Sequence, residues 1–468
     1  FKQKTAYEIR LSLVGSEMCI RDRSKGTRDF LPEEVTKRNF LFDIIKKVFL
    51  KYGFQQIETP AIERLETLTG KYGEEGDKLL FKILNSGDFL KDTPADLLTE
   101  KNSRETLKHI AEKGLRYDLT VPLARYVVQH QEHLAFPFKR FHIGAVWRAD
   151  RPQKGRYQEF YQCDADVIGS ESLYNEIELV SIFGEVFQTL KFDNVELKIS
   201  NRKILAGLAQ VLQAEDKFTT LTIAIDKLDK VEKEKVLIEL GIEGFSQIQL
   251  QMLSEYLAIE GNNDEKLSKL KVFFGGSEIA LAGIKELEFV VNTAHNSQLS
   301  IDQTLARGLN YYTGFIIEVK NHSGSLRSSI GSGGRYDNLT EMFGGRNMPG
   351  VGISFGIERI YDIMEELNLF PSGITQGTKV LLAYFDEPSQ QYAFGVLQKI
   401  RAAGIAAEMY PSVSKLAKQL DYANKKKIPF AIIIGSEEVE SGLLTFKNLE
   451  AGTQEKLPLQ NIIGQLNF

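Results

Sequence analysis

Apolar positions along the chain change period several times, and each change marks out an element. From about Glu33 to Lys51, Phe40, Ile44 and Val48 recur at helical spacing, and Gly53 ends the run. FQQIETPAIE then reads as a strand broken at Pro60, whose missing N–H suits an edge or an interface. In LRYDLTVPLAR, Leu115 to Arg125, the spacing predicts a strand with Asp118 and Thr120 on one face, closed by Pro122, which can open the next helix. The clearest alternation lies between Phe138 and Gly169. A β-type run from Arg140 to Trp147 breaks at charged and turn-forming residues from Arg148 to Gly155 and resumes from Tyr157 to Ile168. This predicts an antiparallel hairpin with a basic tip.

Farther on, Glu171 to Phe192 reads as a helix and Val195 to Ser200 as a strand. Residues 201–296 shift to short, charge-rich helical segments such as DKLDKVEKEKVLIEL, expected to form a helical insertion on the main sheet. Extended character returns at Ile301 with IDQTLARGLNYYTGFIIEV, followed by SIGSGGRYDNLTEMFGG and GVGISFGIERI. In the last of these a buried strand, Val351 to Phe355, leads into a helix carrying Glu358 and Arg359. The expected division is therefore a sheet-based core in two parts, 24–200 and 297–370, with the insertion between them and a linker at 371–378. From 379 to 468 strands and helices alternate, with helices near Gln390 to Ala403 and Lys415 to Lys427, as in a small α/β domain with a mainly parallel sheet.

Composition narrows the classes. A chain of 468 residues with 43% hydrophobic and 26% charged residues fits a soluble protein of two or three domains. A net charge of -5 excludes a uniformly basic nucleic-acid coat but leaves room for local basic surfaces such as Lys425 to Lys427. Cys19 and Cys163, the two cysteines, are too far apart for a CxxC site, so a reducing, cytoplasmic setting is expected. No apolar run approaches the roughly 20 residues that span a bilayer, so no membrane partner is expected. Residues 1–23, FKQKTAYEIRLSLVGSEMCIRDR, resemble translated adapter or vector sequence and read as a non-native leader.

The chemistry concentrates on the hairpin. Arg148, Arg151, Lys154 and Arg156 crowd its tip, where guanidinium forks match phosphate oxygens. Gln162, Asp164 and Asp166 follow at a two-residue period, offering acceptors from one face to a cation or a donor. Asp118 either captures an ammonium group, with Thr120 beside it, or caps the next helix. Arg307, Gly308, Tyr311 and Tyr312 sit at one strand mouth, and Gly331, Gly333 and Gly334 let backbone approach a ligand. There is no Walker lysine and no GxGxxG before a helix, and His130 and His133 lack partners at metal-ligand spacing, so no protein metal site is expected.

Taken in order, TPAIE, LRYDLTVPLAR, WRADRPQKGRYQEFYQCDAD, LARGLNYYTG, GSGGRYDNL and GVGISFGIERI resemble the histidyl-tRNA synthetases, a class II family, from about Lys25 to the C-terminus. The wording LRYDLTVP and EFYQCDAD looks closer to the eukaryotic and archaeal-type branch, and Asn310 stands where the family more often has Asp. The resemblance implies an α+β fold, with a class II antiparallel sheet flanked by helices, and a C-terminal anticodon-binding domain. It also implies a homodimer through the Pro60 segment. The reaction implied is activation of L-histidine by ATP, with Mg²⁺, and transfer of histidine to its tRNA. By matched position, Asp118 and Gln162 would hold the α-amino group with Thr120 beside them, and Asp166 and Tyr312 would read the imidazole nitrogens, with Tyr311 lining the pocket. Arg148 and Arg307 would face the α-phosphate from two sides, while Arg156 and Arg359 would reach the outer phosphates, Arg359 near the adenine. A non-catalytic paralogue that regulates another enzyme or binds tRNA is the alternative.

Overall fold

A computed structural model describes residues 23–466 except 71–72, 230, 307–310, 372–373 and 375–376. Arg307, Cys19 and all but the last residue of the expected leader thus lie outside the described residues. The chain divides after Pro371 into two compact units.

The first unit is built on an eight-stranded sheet of order β1-β5-β6-β11-β10-β9-β7-β8. Its strands are β1 (Gln55–Gln56), β5 (Phe138–Trp147), β6 (Glu159–Ile168), β7 (Val195–Asn201), β8 (Leu299–Ile301), β9 (Phe315–Asn321), β10 (Gly331–Arg335) and β11 (Gly350–Gly356). The six central strands run antiparallel, and the short edge strands β1 and β8 pair in parallel with β5 and β7. A small side sheet joins β2 (Ile62–Arg64), β4 (Lys113–Leu115) and β3 (Lys82–Ile83).

Residues paired directly across strands point to the same face, so the register sorts the central sheet into two surfaces. One carries Phe141, Cys163, Ala165, Val351, Ile353, Phe355, Ile317, Val319, Leu197 and Ile199, all in a single buried apolar cluster. Covering it are helices α1 (Pro32–Lys51), through Leu41, Ile45 and Phe49, and α3 (Tyr174–Thr189), through Phe183 and Phe187. Each such large side chain removed from water contributes about 1.5–3 kcal/mol. The same cluster runs on into residues 201–296, through Leu205 and Leu208 of α4 (Arg202–Val211) and Ile284 and Leu287 of α5 (Glu278–Ala294). That helical stretch is therefore continuous with the sheet's own core.

The opposite face is polar over its middle, with Arg140, His142, Gln162, Asp164, Asp166, Ser354, Ser332 and Glu318 aligned across five strands. At one end it turns apolar, where Phe138 and Ile168 lie under α2 (Thr120–His130) with Leu123, Val127 and Tyr336.

The glycines of β10 are explained by this packing. A side chain at Gly333 would meet the Gly352 carbonyl oxygen at 2.2 Å, and one at Gly331 would meet the Phe183 ring at 2.6 Å. They admit a neighbouring strand and helix, while Gly331 and Gly333 also line a cavity over the polar face.

The second unit pairs β12 (Val380–Tyr384), β13 (Ala407–Met409), β14 (Phe430–Ile434), β15 (Leu443–Asn448) and β16 (Gln454–Pro458) in the order β13-β12-β14-β15-β16. The first two pairings are parallel and the last two antiparallel, so the sheet is mixed where a mainly parallel one was expected. Its core gathers Leu382, Tyr384, Val396, Ile400, Ile432 and Ile462.

Gly333→Ala is expected to destabilise the first unit by at least about 1–3 kcal/mol, because the obstacle is backbone that cannot step aside. Urea unfolding that leaves the midpoint unchanged would contradict this account of β10.

Candidate active site

The polar face forms the floor of a cavity of about 690 Å³. Gln162, Asp164 and Asp166 of β6 line it together, since alternate residues of one strand project to one side. Arg140, directly across from Asp166 on β5, has no exposed surface; its Nη2 lies 2.6 Å from Asp166 Oδ2 and also donates to the Leu119 carbonyl at 3.3 Å. Tyr336 donates its hydroxyl to Asp166 Oδ1. Asp166 is thus clamped from both sides, and Gly352, where a Cβ would sit 1.9 Å from Asp166 Oδ1, leaves the room it needs.

Burial governs the ionisation of this floor. Asp164 and Asp166 are each only 2% exposed, and loss of water pushes both carboxyls above the usual range against the pull of Arg140. Asp164 rises to about 7, helped by the neighbouring charges of Asp166 and Asp118 and restrained by a hydrogen bond from Ser354. His142, opposite Asp164, is driven down to about 3 by burial and then by Arg140 and Arg116, so it stays neutral. Gln162 donates through Nε2 to Ser354 Oγ at 2.8 Å, and its Oε1 is buried without a hydrogen-bond partner among the described residues.

Asp118 and Thr120 enter from above. The expected strand ends at Leu115, and Thr120 is the first residue of α2, which corrects the shared strand face. Asp118 Oδ1 accepts from the amides of Thr120 at 3.2 Å and Val121 at 3.0 Å, so the residue caps the helix while lining the cavity. Its loop is fastened by Arg116, which donates to the carbonyls of Ala145 at 2.8 Å and Thr59 at 2.7 Å.

Tyr311 and Tyr312 form one wall, their ring centroids 4.9 Å apart, with Tyr336 6.1 Å beyond Tyr311. Gly334 makes space for Tyr312, whose ring atoms would lie 2.7 Å from an added Cβ. Tyr336 was missed as a site residue; the signal lay in GGRYD, where it directly follows the glycine-rich β10.

On the hairpin side, Arg148 donates from Nε to the Tyr117 carbonyl at 3.1 Å, its guanidinium 4.2 Å from the Tyr117 ring and 5.2 Å from that of Phe160. Arg359, in the first turn of α6 (Ile357–Glu366), donates to the carbonyls of Gly155 at 2.9 Å and Ser329 at 2.6 Å, joining hairpin tip to sheet. Arg156 also lines the cavity, half-exposed and 3.7 Å from Asp150. The other two cations of the tip do not join them: Arg151 is exposed, and Lys154 turns to Ser325 at 2.9 Å and Glu366 at 3.4 Å. Glu358 is likewise structural, bound to buried Arg38 at 2.7 Å and to the Tyr161 amide at 2.9 Å. In the second unit, Lys425 and Lys426 pair with Asp421 and Glu408 at 2.8 and 2.7 Å, so the basic group is largely neutralised locally.

A cavity with several carboxylates on its floor and arginines at its rim suits a ligand that is cationic at one end and carries phosphate at the other. The family comparisons bear on this directly. The family model "Histidyl-tRNA synthetase" matches residues 26–90 and 99–360, and "Anticodon binding domain" matches 377–467. The histidine–tRNA ligase of Christiangramia forsetii is 49% identical over 447 residues, covering 94% of this chain and 98% of the relative. That of Bacteroides fragilis is 50% identical over 446 residues, with the same two coverages of 94% and 98%. The crystal structure of histidyl-tRNA synthetase from Nostoc sp. PCC 7120 superposes with a TM-score of 0.79 at 31% identity, covering 95% of this chain and 98% of that one. These relatives are bacterial, which overturns the expected eukaryotic and archaeal-type affinity.

Arg140→Met is expected to cost about 3–5 kcal/mol near neutral pH by leaving buried carboxylates unpaired. Asp164 and Asp166 hold protons more tightly folded than unfolded, so the burden of their charge grows as pH rises above the unfolded carboxyl value. The loss should therefore be smaller at pH 5 than at pH 8, and urea unfolding with equal losses at both would contradict the clamp.

Proposed function

The chain belongs to the histidyl-tRNA synthetase family, and from that premise we infer how its site divides the work. It activates L-histidine with ATP to histidyl-adenylate and pyrophosphate, then passes histidine to the 3′ end of its tRNA. In the first step the carboxylate of histidine attacks the α-phosphorus and pyrophosphate leaves. In the second a terminal ribose hydroxyl of the tRNA attacks the activated carbonyl, and AMP leaves. Neither step needs a protein nucleophile, so positioning and charge neutralisation supply most of the catalysis.

Asp118 and Gln162 hold the α-ammonium group, with Thr120 beside them, and Asp166 and Tyr312 read the two imidazole nitrogens against the wall of Tyr311. Supporting this is the way Asp166 is already engaged. With Tyr336 on one oxygen and Arg140 on the other, it is fixed in place yet retains lone pairs for an imidazole N–H. An amino acid lacking that donor would leave a buried acceptor unsatisfied, at about 1–3 kcal/mol per group. Arg148, braced by Tyr117, neutralises the α-phosphate, and by its place in the family pattern Arg307 is proposed as the second cation on it. Arg359 lies near the adenine, and with Arg156 reaches the outer phosphates.

The observation that carries this reading is that the acceptors of β6, the capping Asp118 and the braced Arg148 line one cavity. Among the described residues no group of three or more His, Cys, Asp or Glu gathers to hold a metal, so Mg²⁺ would enter on the ATP phosphates with water as most of its ligands. The second unit would bind the anticodon, and a homodimer would form where Pro60 and Ile62 are exposed. No helix among the described residues is long and apolar enough to cross a membrane, and the proposed setting is the cytoplasm.

ATP–pyrophosphate exchange is expected with histidine and with none of the other amino acids. Arg148→Ala should lower its kcat about 10²–10³-fold, the usual cost of losing one preorganised charge-stabilising donor, and Arg307→Ala should abolish it with circular dichroism unchanged. Exchange at the wild-type rate in either variant would remove that arginine from the reaction. Replacing Lys425, Lys426 and Lys427 with Ala should raise the KM for tRNA only a few-fold, since two of them are already ion-paired on an exposed surface. A large rise would show that tRNA breaks those pairs.

A further inference from the structure

Asp164 has no part in the division of labour above, yet it lies at the centre of the floor. Gln162 and Asp166 flank it on the same strand face, Ser354 hydrogen-bonds it from β11, and all of them line the cavity. It is 2% exposed, and its Oδ1 is buried without a hydrogen-bond partner among the described residues. Such an acceptor is costly to maintain unless a ligand or a proton satisfies it.

Asp118 overhangs Asp164, Asp166 adjoins it on β6, and Arg140 and neutral His142 face it from β5. Arg116 also faces it, but donates to the carbonyls of Ala145 and Thr59. Tyr336, above Asp166, holds its proton more firmly than an ordinary tyrosine because of burial and the nearby carboxylate. Among the described residues Asp164 and Asp166 share Arg140 as the guanidinium that acts on both, and an ammonium group, with three donors and a full charge, would satisfy the buried Oδ1.

Resting on the reading that this cavity takes histidine, we propose that Asp164 is the proton-exchanging member of the ammonium subsite. It gives its proton to solvent when the α-ammonium group of the substrate settles against Oδ1. No covalent bond changes; one proton leaves the carboxyl and one ion pair forms. Because the carboxyl is held near neutrality by burial, binding releases most protons just below pH 7 and few above it. The sign follows: histidine binds tightest at pH values where Asp164 is already ionised, and more weakly as pH falls through that range.

The test is the dissociation constant of L-histidine from pH 5.5 to 8.5 for wild type and Asp164→Asn, with 3-(imidazol-4-yl)propionate, which lacks the amine, as a second probe. The ratio of variant to wild-type constants cancels titration of the free imidazole. It should be at least about tenfold at pH 8 and fall by up to about tenfold per pH unit below 7, while the deamino probe shows a ratio near one throughout. Ser354→Ala removes a hydrogen bond that favours the ionised form, so it should move the wild-type pH step upward; Asp164→Glu should restore part of it. A ratio near one at pH 8, a ratio independent of pH, or equal losses with the deamino probe overturns the proposal while leaving histidine activation intact. Loss of histidine-dependent exchange in the wild type overturns both.

Discussion

A guanidinium with no exposed surface, Arg140, lies 2.6 Å from a buried carboxylate on the neighbouring strand. Such a pair draws little net stability from its own attraction, because both charges must be stripped of water. It persists here because the two sides of the sheet are unlike. The apolar side supplies the burial that holds β5, β6 and β11 in register. The register in turn brings Arg140, Asp166 and Gly352 into one row and His142, Asp164 and Ser354 into the next. The polar row would be a liability in a protein without a ligand to satisfy it. It becomes a binding floor because α2 and the tyrosine wall stand over it without filling it.

The features of the chain that sequence made legible are those with a strong period. The two long arms of the hairpin, α1, the strand from Val195 and the passage from the Val351 strand into α6 lie close to the expected positions, because alternating or helical apolar spacing is a direct consequence of what each face must bury. The coincidence of Gln162, Asp164 and Asp166 on one face followed from the same arithmetic. Short elements were less readable. Asp118 and Thr120 alternate as a strand would, yet two backbone amides take Asp118 as a helix cap, a local hydrogen bond that periodicity does not register. Sequence likewise does not tell that Gly331 and Gly333, besides lining the cavity, admit the Phe183 ring and the Gly352 carbonyl.

Partnerships between distant residues were the least accessible. Nothing in the order of residues says that Tyr336 would reach Asp166 across 170 positions, that Lys154 would turn to Glu366, or that Lys425 and Lys426 would find acids of their own. These contacts alter the chemistry. Tyr336 converts Asp166 from a free carboxylate into an oriented one, and the paired lysines make the second unit a weaker polyanion surface than its sequence suggested. Family membership fixes the reaction, and on the reading proposed above the buried acids of the floor are what a cationic substrate satisfies.

On the reading proposed above, the polar side of the sheet, and no other surface, receives the reacting atoms. A crystal structure with the non-hydrolysable sulfamoyl analogue of histidyl-adenylate tests it most directly. The imidazole should lie between Asp166 and Tyr312, the ammonium group over the β6 carboxylates beneath Asp118, and the sulfamoyl group against Arg148. An analogue bound away from β6, or one whose imidazole points from Asp166 toward solvent, would contradict it.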